Sequence, residues 1–198
     1  MYNDAIQKHS TLRDFSFYLH CCSLKFIKLE QLCTGKQVIA QIQPYLDPIT
    51  ACIKKIDSGG SAYDILEVIN QSMKLIVDFL HIVLNCKESP GSEDILPIWF
   101  YCLIQSAPKK LYSSFYFVNS LLGDEDRKGI YGISIVNLRA GVEFIENLNH
   151  KTLKMEENEF ILSKKKNEIE YGAHRYKRRL RTQTGYTNKI NVKNIQFF

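Results

Sequence analysis

The sequence has little of what a metal-binding or covalently catalytic protein needs. It contains no zinc or calcium motif, no glycine-rich phosphate loop, and no Ser/His/Asp or Cys/His arrangement that could be placed in one site. Its six cysteines form no CxxC pair, and no cluster of histidines accompanies them. We therefore expect buried, reduced thiols rather than a metal site, no cofactor, and no conventional enzyme chemistry.

Segments that would target or anchor the chain are also missing. The N-terminal stretch MYNDAIQKHS lacks the basic, apolar and small-residue layout of a signal peptide. The longest apolar run, Ile95–Ile104, is too short to cross a bilayer. These absences predict a soluble, cytoplasmic protein without a transmembrane segment.

Acidic residues are absent from the C-terminal stretch. From Tyr171 to Phe198 there are seven basic residues and no acidic one, whereas the preceding 170 residues carry a net charge of −2. The formal charge of +5 thus comes from this stretch, and nucleic-acid binding by the domain itself has little support. We interpret residues 166–198 as a basic, disordered tail. The alternatives for this tail are, in order, a solvated segment, weak contact with anionic membrane lipid, and RNA binding or nuclear import.

Apolar residues at helical spacing dominate what is present. Residues 63–85 give the clearest amphipathic pattern, and residues 111–122 fit either a strand or a helix, of which we choose the helix because its neighbours are helical. Further helices are predicted over 4–31, 39–46 with a stop near Pro48, 49–56, 135–148 and 153–162. The prediction is an all-α fold of six to eight packed helices. Residues 41–165 would form the domain, and residues 1–40 a helical segment supporting its core.

The stretch Ser92–Leu122 is central to this prediction. Its apolar run has almost no polar face, so we expect a helix that forms the buried axis of the domain. Glu93 and Asp94 precede Pro97, which we place at the first helical position, where its missing N–H costs nothing. The acidic pair would then lie at or just before a helix N-terminus, where the helix dipole stabilises carboxylates. One interpretation is that the pair only caps the helix.

Four features follow one another in a characteristic order. They are the acidic pair with Pro97, then Leu111 and Ser113 after the turn Ala107-Pro108, then a polar loop containing glycine, and then Val136-Asn137-Leu138 leading into Ala140, Val142, Glu143, Phe144 and Ile145. This order resembles the vacuolar-protein-sorting-nine (Vps-nine) domain, an exchange domain for early-endosomal Rab GTPases. The resemblance is closest over Ser92–Leu162 and extends more weakly to about Leu46.

The resemblance implies a function. Domains of this family dock the switch regions of a Rab GTPase in a groove and accelerate GDP release with an acidic finger, without covalent chemistry. By position the finger is Glu93, where the family usually has aspartate, and Asp94 is a second candidate. A protein of this kind would be peripheral to early endosomes. The partner-contacting positions that the resemblance implies are Pro97, Ser113, Ile133, Val136 and Asn137.

Two of these positions depart from the family pattern. Ile133 and Val136 stand where a tyrosine and a threonine are common, and Tyr131 is displaced by two positions. Each lost hydroxyl contact typically costs about 0.5–1.5 kcal/mol of binding. The sequence therefore supports two hypotheses, an exchange factor for an early-endosomal Rab or a catalytically weakened module that docks a GTPase as a scaffold.

Overall fold

Helices account for all regular secondary structure in the described part of the chain. The computed structural model describes residues 2–32, 36–84, 90–123, 125 and 128–184, with side chains described for 12–32, 39–84, 90–123, 125 and 128–171. Within these ranges the α-helices are α1 (Tyr2–Ser23), α2 (Lys36–Ile42), α3 (Leu46–Ile53), α4 (Ala62–Leu84), α5 (Ser92–Ser106), α6 (Leu111–Leu121), α7 (Gly129–Asn147) and α8 (Glu157–Thr184). Short 3-10 helices lie at Leu29–Gln31, Gln43–Tyr45 and Lys54–Ser58. The predicted all-α class is confirmed.

Helix α4 follows the amphipathic pattern closely. Its buried face includes Leu66, Ile69, Ile76 and Leu80. The helix begins after a reciprocal cap, in which the backbone N–H of Asp64 donates to the Ser61 hydroxyl at 3.1 Å and the backbone N–H of Ser61 donates to the Asp64 carboxylate at 2.7 Å. Helix α6 confirms the choice of helix over strand for residues 111–122.

Helix α5 is the buried axis that its composition predicts. The side chains Ile98, Trp99, Cys102, Leu103 and Ile104 are fully buried, and α5 packs against α1, α3, α4 and α7. The helix ends where Ala107 adopts a left-handed conformation at φ 42°, which gives its N–H to the carbonyl of Leu103 at 3.0 Å. Pro108 follows and prevents further helix.

Two proline predictions are wrong. Pro97 lies inside α5, not at its first position, because α5 begins at Ser92 and is capped by the carbonyl of Gly91, which accepts the N–H groups of Asp94 and Ile95 at 3.1 Å each. An interior proline typically costs about 3 kcal/mol, which the burial of the following turns offsets. Pro48 lies in the first turn of α3 and does not stop the helix, because the N–H groups of a first turn have no partner inside the helix.

Helices α1 and α8 pack against each other beside this core. The rings of Phe26 and Phe160 meet edge to face at 5.8 Å, and the Asn167 amide donates to the carbonyl of Ser23 at 3.4 Å. Helix α8 continues past Tyr171 to Thr184, into the stretch for which we predicted no regular structure. Lys, Arg and Glu are good helix formers. Starting a helix is the costly step, so α8, whose first turns already pack against α1, can be extended at little further cost. Residues 185–198, the remainder of the predicted tail, lie outside the described residues.

The thiols that the structure describes are buried. Cys21, Cys22, Cys52 and Cys102 form no disulfide and are buried, and burial raises the pKa of the Cys21 thiol to about 12. A protonated, buried thiol is an inert packing group, as the sequence predicts. Cys33 and Cys86 lie outside the described residues. In the described ranges no three His, Cys, Asp or Glu residues are grouped as metal ligands, and no helix combines the length and apolarity of a membrane span.

Candidate functional site

The acidic pair occupies the first turn of α5, as predicted. Glu93 is exposed and Asp94 is half-buried. Glu93 bends back toward the start of its own helix, since its carboxylate carbon lies 2.5 Å from the point where a Cβ on Gly91 would stand. Only a glycine at position 91 leaves room for this conformation of Glu93. The carboxylate is nevertheless the far end of a flexible, exposed side chain, which can swing outward by a rotamer change.

The two carboxylates are available to a partner. Among the residues whose side chains are described, neither Glu93 nor Asp94 forms an ion pair, and no side chain caps the N-terminus of α5 by a hydrogen bond. Within the described residues, their charge is balanced by the positive end of the helix dipole and by solvent. A cationic group of another protein would therefore displace no ion-pair partner from the described part of the chain.

Helix α7 exposes an apolar strip formed by Ile130, Ile133 and Val136. These side chains are 54%, 64% and 64% exposed, and their spacing of three residues places them along one side of the helix. The opposite side of α7 faces the core with Ile135, Leu138, Val142 and Ile145. A contiguous exposed apolar strip on an otherwise well-packed helix is typical of a protein-binding surface.

Tyr131 does not replace the tyrosine that the family has at position 133. Its ring packs edge to face against that of Tyr63 on α4, with ring centroids 5.4 Å apart. Positions 131 and 133 lie about 200° apart around the helix axis, so Tyr131 points to α4 while Ile133 points to solvent. The exposed strip is therefore apolar at both of the positions where a hydroxyl is common in the family.

Helices α5 and α7 are held closely together beside this strip. The indole N–H of Trp99 donates to the carbonyl of Asn137 at 3.0 Å, and the rings of Phe100 and Phe144 stack at 4.1 Å with 9° between their planes. The approach is close at Gly141, where an added Cβ would stand 2.5 Å from a methyl carbon of Leu103. These contacts fix the axis of α5 relative to that of α7.

Ser113 lies in the first turn of α6, a helix that packs against α1, α4 and α7. Its backbone N–H donates to the Asp14 carboxylate at 2.7 Å, and its hydroxyl donates to the carbonyl of Lys110 at 3.2 Å. The N–H of Lys110 in turn donates to the Asp57 carboxylate at 3.1 Å. Two carboxylates from other elements thus satisfy the N-terminus of α6. In this arrangement the polar groups of Ser113 serve the helix and its contact with α1.

The remaining predicted positions are distributed over α5 and α7. Pro97 and Asn137 are half-buried, and the carbonyl of Asn137 already accepts the Trp99 bond. The structure places Glu93 and Asp94 on α5 and Ile133 and Val136 on α7, two helices that pack against each other. Sequence reasoning missed Ile130, although its position three residues before Ile133 is a signal that could have found it. It also missed Gly141, whose role depends on how close α5 comes.

The all-α domain thus presents an acidic helix start and an exposed apolar strip on two tightly packed helices, features that are typical of a protein-binding surface. A model of the Vacuolar sorting protein 9 (VPS9) domain matches residues 46–164. This match covers more than half of the chain, and the chain therefore belongs to the VPS9 domain family. This is a domain of the type that serves as a guanine nucleotide exchange factor for Rab GTPases.

A curated relative supports this assignment. Vacuolar protein sorting-associated protein 9A of Arabidopsis thaliana is 24% identical over 110 residues, which are 54% of this chain and 21% of the relative. The chain thus spans about a fifth of the length of that relative. The residues matched to the family begin after helices α1 and α2. Asp14, on α1, therefore lies outside the match.

Proposed function

We propose that the chain is a guanine nucleotide exchange factor that promotes GDP release from an early-endosomal Rab GTPase, with Glu93 as the acidic finger. Such a protein would act in the cytoplasm, at the periphery of early endosomes. The proposal rests on one observation above all. Glu93 at the start of α5 is exposed and has no ion-pair partner among the described side chains, and α5 is held by Trp99 and Phe100 against α7, which carries the exposed apolar strip.

The mechanism is electrostatic competition in an interface. The apolar strip Ile130, Ile133 and Val136 covers the switch regions of the GTPase, which excludes water from the contact. The Glu93 carboxylate swings out from above Gly91 and approaches the lysine of the phosphate loop. It competes there with the β-phosphate for that lysine and disfavours the bound magnesium, and the low dielectric of the interface strengthens both effects. No covalent bond is made or broken.

The roles of the two acids differ in this mechanism. Asp94 is half-buried and one methylene shorter than Glu93, so it stabilises the helix start and adds negative potential behind the finger. Glu93 is exposed and reaches further. Its extra methylene, compared with the aspartate usual in the family, is accommodated by the rotamer change that moves it away from Gly91.

The direct test is the release of labelled GDP from candidate early-endosomal Rabs. We expect the wild-type chain to accelerate release and Glu93→Ala to reduce this acceleration at least tenfold, about the size expected when one partner of a close interfacial charge pair is removed. Glu157→Ala is a matched control, because Glu157 is also an exposed glutamate in the first turn of a helix. Absence of acceleration with every early-endosomal Rab would reject the proposal. Unchanged acceleration with Glu93→Ala would reject the finger alone.

A second candidate function is a scaffold that docks a GTPase without releasing its nucleotide. The apolar Ile133 and Val136, in place of two hydroxyl-bearing residues, favour it. Binding to nucleotide-free, GDP-loaded and GTP-loaded Rab separates the two functions, because an exchange factor must bind the nucleotide-free form more tightly than the others. Equal binding to all three forms, lost with Ile133→Asp, would favour the scaffold.

A further inference from the structure

Gly91 and Glu93 approach each other closely at the start of α5. Gly91 is the residue just before the helix, and Glu93 is the second residue of the helix. The carboxylate carbon and both carboxylate oxygens of Glu93 lie 2.5 Å from the point where a Cβ on residue 91 would stand. Such a distance is far below that of an ordinary non-bonded contact. Any side chain at position 91 would therefore exclude this conformation of Glu93.

The backbone of Gly91 does not itself require a glycine. Its φ of −76° and ψ of 169° belong to the extended region, which any residue adopts without strain. What glycine provides at this position is therefore space beside its Cα, and the Glu93 carboxylate fills that space. The role of Gly91 can be tested by adding a Cβ without disturbing the course of the chain.

The folded-back conformation of Glu93 is favourable for the helix and unfavourable for contact with a partner. The first turn of a helix has unpaired N–H groups and carries the positive end of the helix dipole. Gly91 has no side chain to cap it, and no described side chain caps α5 by a hydrogen bond. A carboxylate folded toward this end is favoured about two- to fivefold over one extended into solvent. In that conformation the carboxylate is directed at its own helix.

We propose that Gly91 is a positioning residue that keeps Glu93 in an inactive resting conformation, which the side chain must leave before it can act on a GTPase. This inference rests on the proposed function, in which the extended Glu93 carboxylate approaches the lysine of the phosphate loop. The rate of GDP release then depends on the fraction of molecules in which Glu93 is extended. A Cβ at position 91 raises that fraction and should accelerate exchange.

Two substitutions separate the effect of the Cβ from that of the helix cap. Gly91→Ala and Gly91→Ser add the same Cβ, but serine is a favoured residue at the N-cap of a helix and alanine is a poor one. We expect both variants to raise kcat/KM for GDP release about two- to fivefold. Urea denaturation should show that Gly91→Ser is more stable than Gly91→Ala. A gain in kcat/KM with one variant and a loss with the other would assign the effect to the cap and overturn the inference.

A double-mutant cycle shows whether Gly91 acts through Glu93. In the Glu93→Ala background there is no carboxylate to displace, so Gly91→Ala should leave the residual rate of GDP release unchanged. A general effect on the structure of α5 would change the rate in both backgrounds. An equal gain in the two backgrounds would therefore overturn the inference.

Nuclear Overhauser effects in the free protein test the resting conformation without any GTPase. We expect an effect between the γ protons of Glu93 and the α protons of Gly91 in the wild type, and a weaker effect at residue 91 in Gly91→Ser. Absence of the effect in the wild type would overturn the inference whatever the exchange rates are. If the effect is present but neither the wild type nor any variant accelerates GDP release, the resting conformation stands and the proposed exchange function is rejected.

Discussion

The indole N–H of Trp99 donates a hydrogen bond to the backbone carbonyl of Asn137, with 3.0 Å between the two atoms. Trp99 lies within two helical turns of Glu93, and Asn137 directly follows Val136 on α7. The bond therefore ties the helix that carries the acidic first turn to the helix that carries the apolar strip. Under the proposed mechanism, a partner docked on α7 would meet the start of α5 at a fixed position, and only the Glu93 side chain would have to move.

Gly141→Ala should separate these two helices. The new Cβ would stand 2.5 Å from a methyl carbon of Leu103 and 3.1 Å from Nε1 of Trp99. We expect a loss of about 1–3 kcal/mol in the free energy of unfolding by overpacking, although alanine is the better helix former. Urea denaturation measures this loss. In a Leu103→Val background the clash is relieved and the added cost of Gly141→Ala should shrink, whereas simple additivity would contradict the overpacking explanation.

Much of the fold could be predicted because apolar periodicity is a local signal. The amphipathic pattern over 63–85 became α4, and the nearly all-apolar run after Pro97 became the buried axis α5. The acidic pair at the start of α5 could also be located, because carboxylates in a first turn are favoured whatever packs around the helix. These conclusions depend on neighbours within one or two turns.

Features that depend on tertiary contacts could not be predicted in the same way. Local preference predicts Pro97 at the helix start, whereas it lies in the interior of α5, where the buried side chains of the helix offset its cost. Helix α8 extends past Tyr171 because its first turns are already docked beside α1, which the polar sequence beyond Tyr171 does not reveal. The contact of Ser113 with Asp14 spans 99 residues, and no local pattern connects them.

Asp14→Ala should destabilise the protein although Asp14 lies outside the residues matched to the family. Its carboxylate accepts the N–H of Ser113 in the first turn of α6 at 2.7 Å. Loss of such a cap costs about 0.5–2 kcal/mol, which urea denaturation would detect. Asp14→Asn keeps an acceptor oxygen and should lose less. If both variants matched the wild type, the hydrogen bond between Asp14 and Ser113 would contribute nothing to stability.

Stability should fall in mild acid because of His20. Burial, with a smaller contribution from Lys164, lowers the pKa of His20 below its ordinary value of 6.5, and its Nε2–H donates to the carbonyl of Ile145 at 3.0 Å. That bond and the nearby Glu168 and Glu146 oppose the shift without cancelling it. The unfolded chain therefore binds the proton more readily than the folded one. The stabilisation that neutral His20 gives the folded state is complete above pH 6.5 and is lost as pH falls through the folded-state pKa.

Urea denaturation across this pH range checks the assignment to His20. The free energy of unfolding of the wild type should decrease more steeply below pH 6.5 than that of His20→Gln, because glutamine keeps a donor for the carbonyl of Ile145 but does not titrate. Parallel pH profiles for the two proteins would show that other groups, such as surface carboxylates, account for the acid sensitivity.

Restoring the two hydroxyl-bearing residues on α7 should strengthen exchange. Ile133 and Val136 are both 64% exposed, so Ile133→Tyr and Val136→Thr should change the free energy of unfolding by less than about 0.5 kcal/mol. Each added hydroxyl can supply about 0.5–1.5 kcal/mol of partner contact, and the rate of GDP release should rise about two- to tenfold per substitution. Ile82→Tyr, an equally exposed position on α4, should have no effect. A slower rate with the restored residues would mean that the GTPase presents an apolar surface matched to Ile133 and Val136, and that the departure from the family sets which GTPase is recognised.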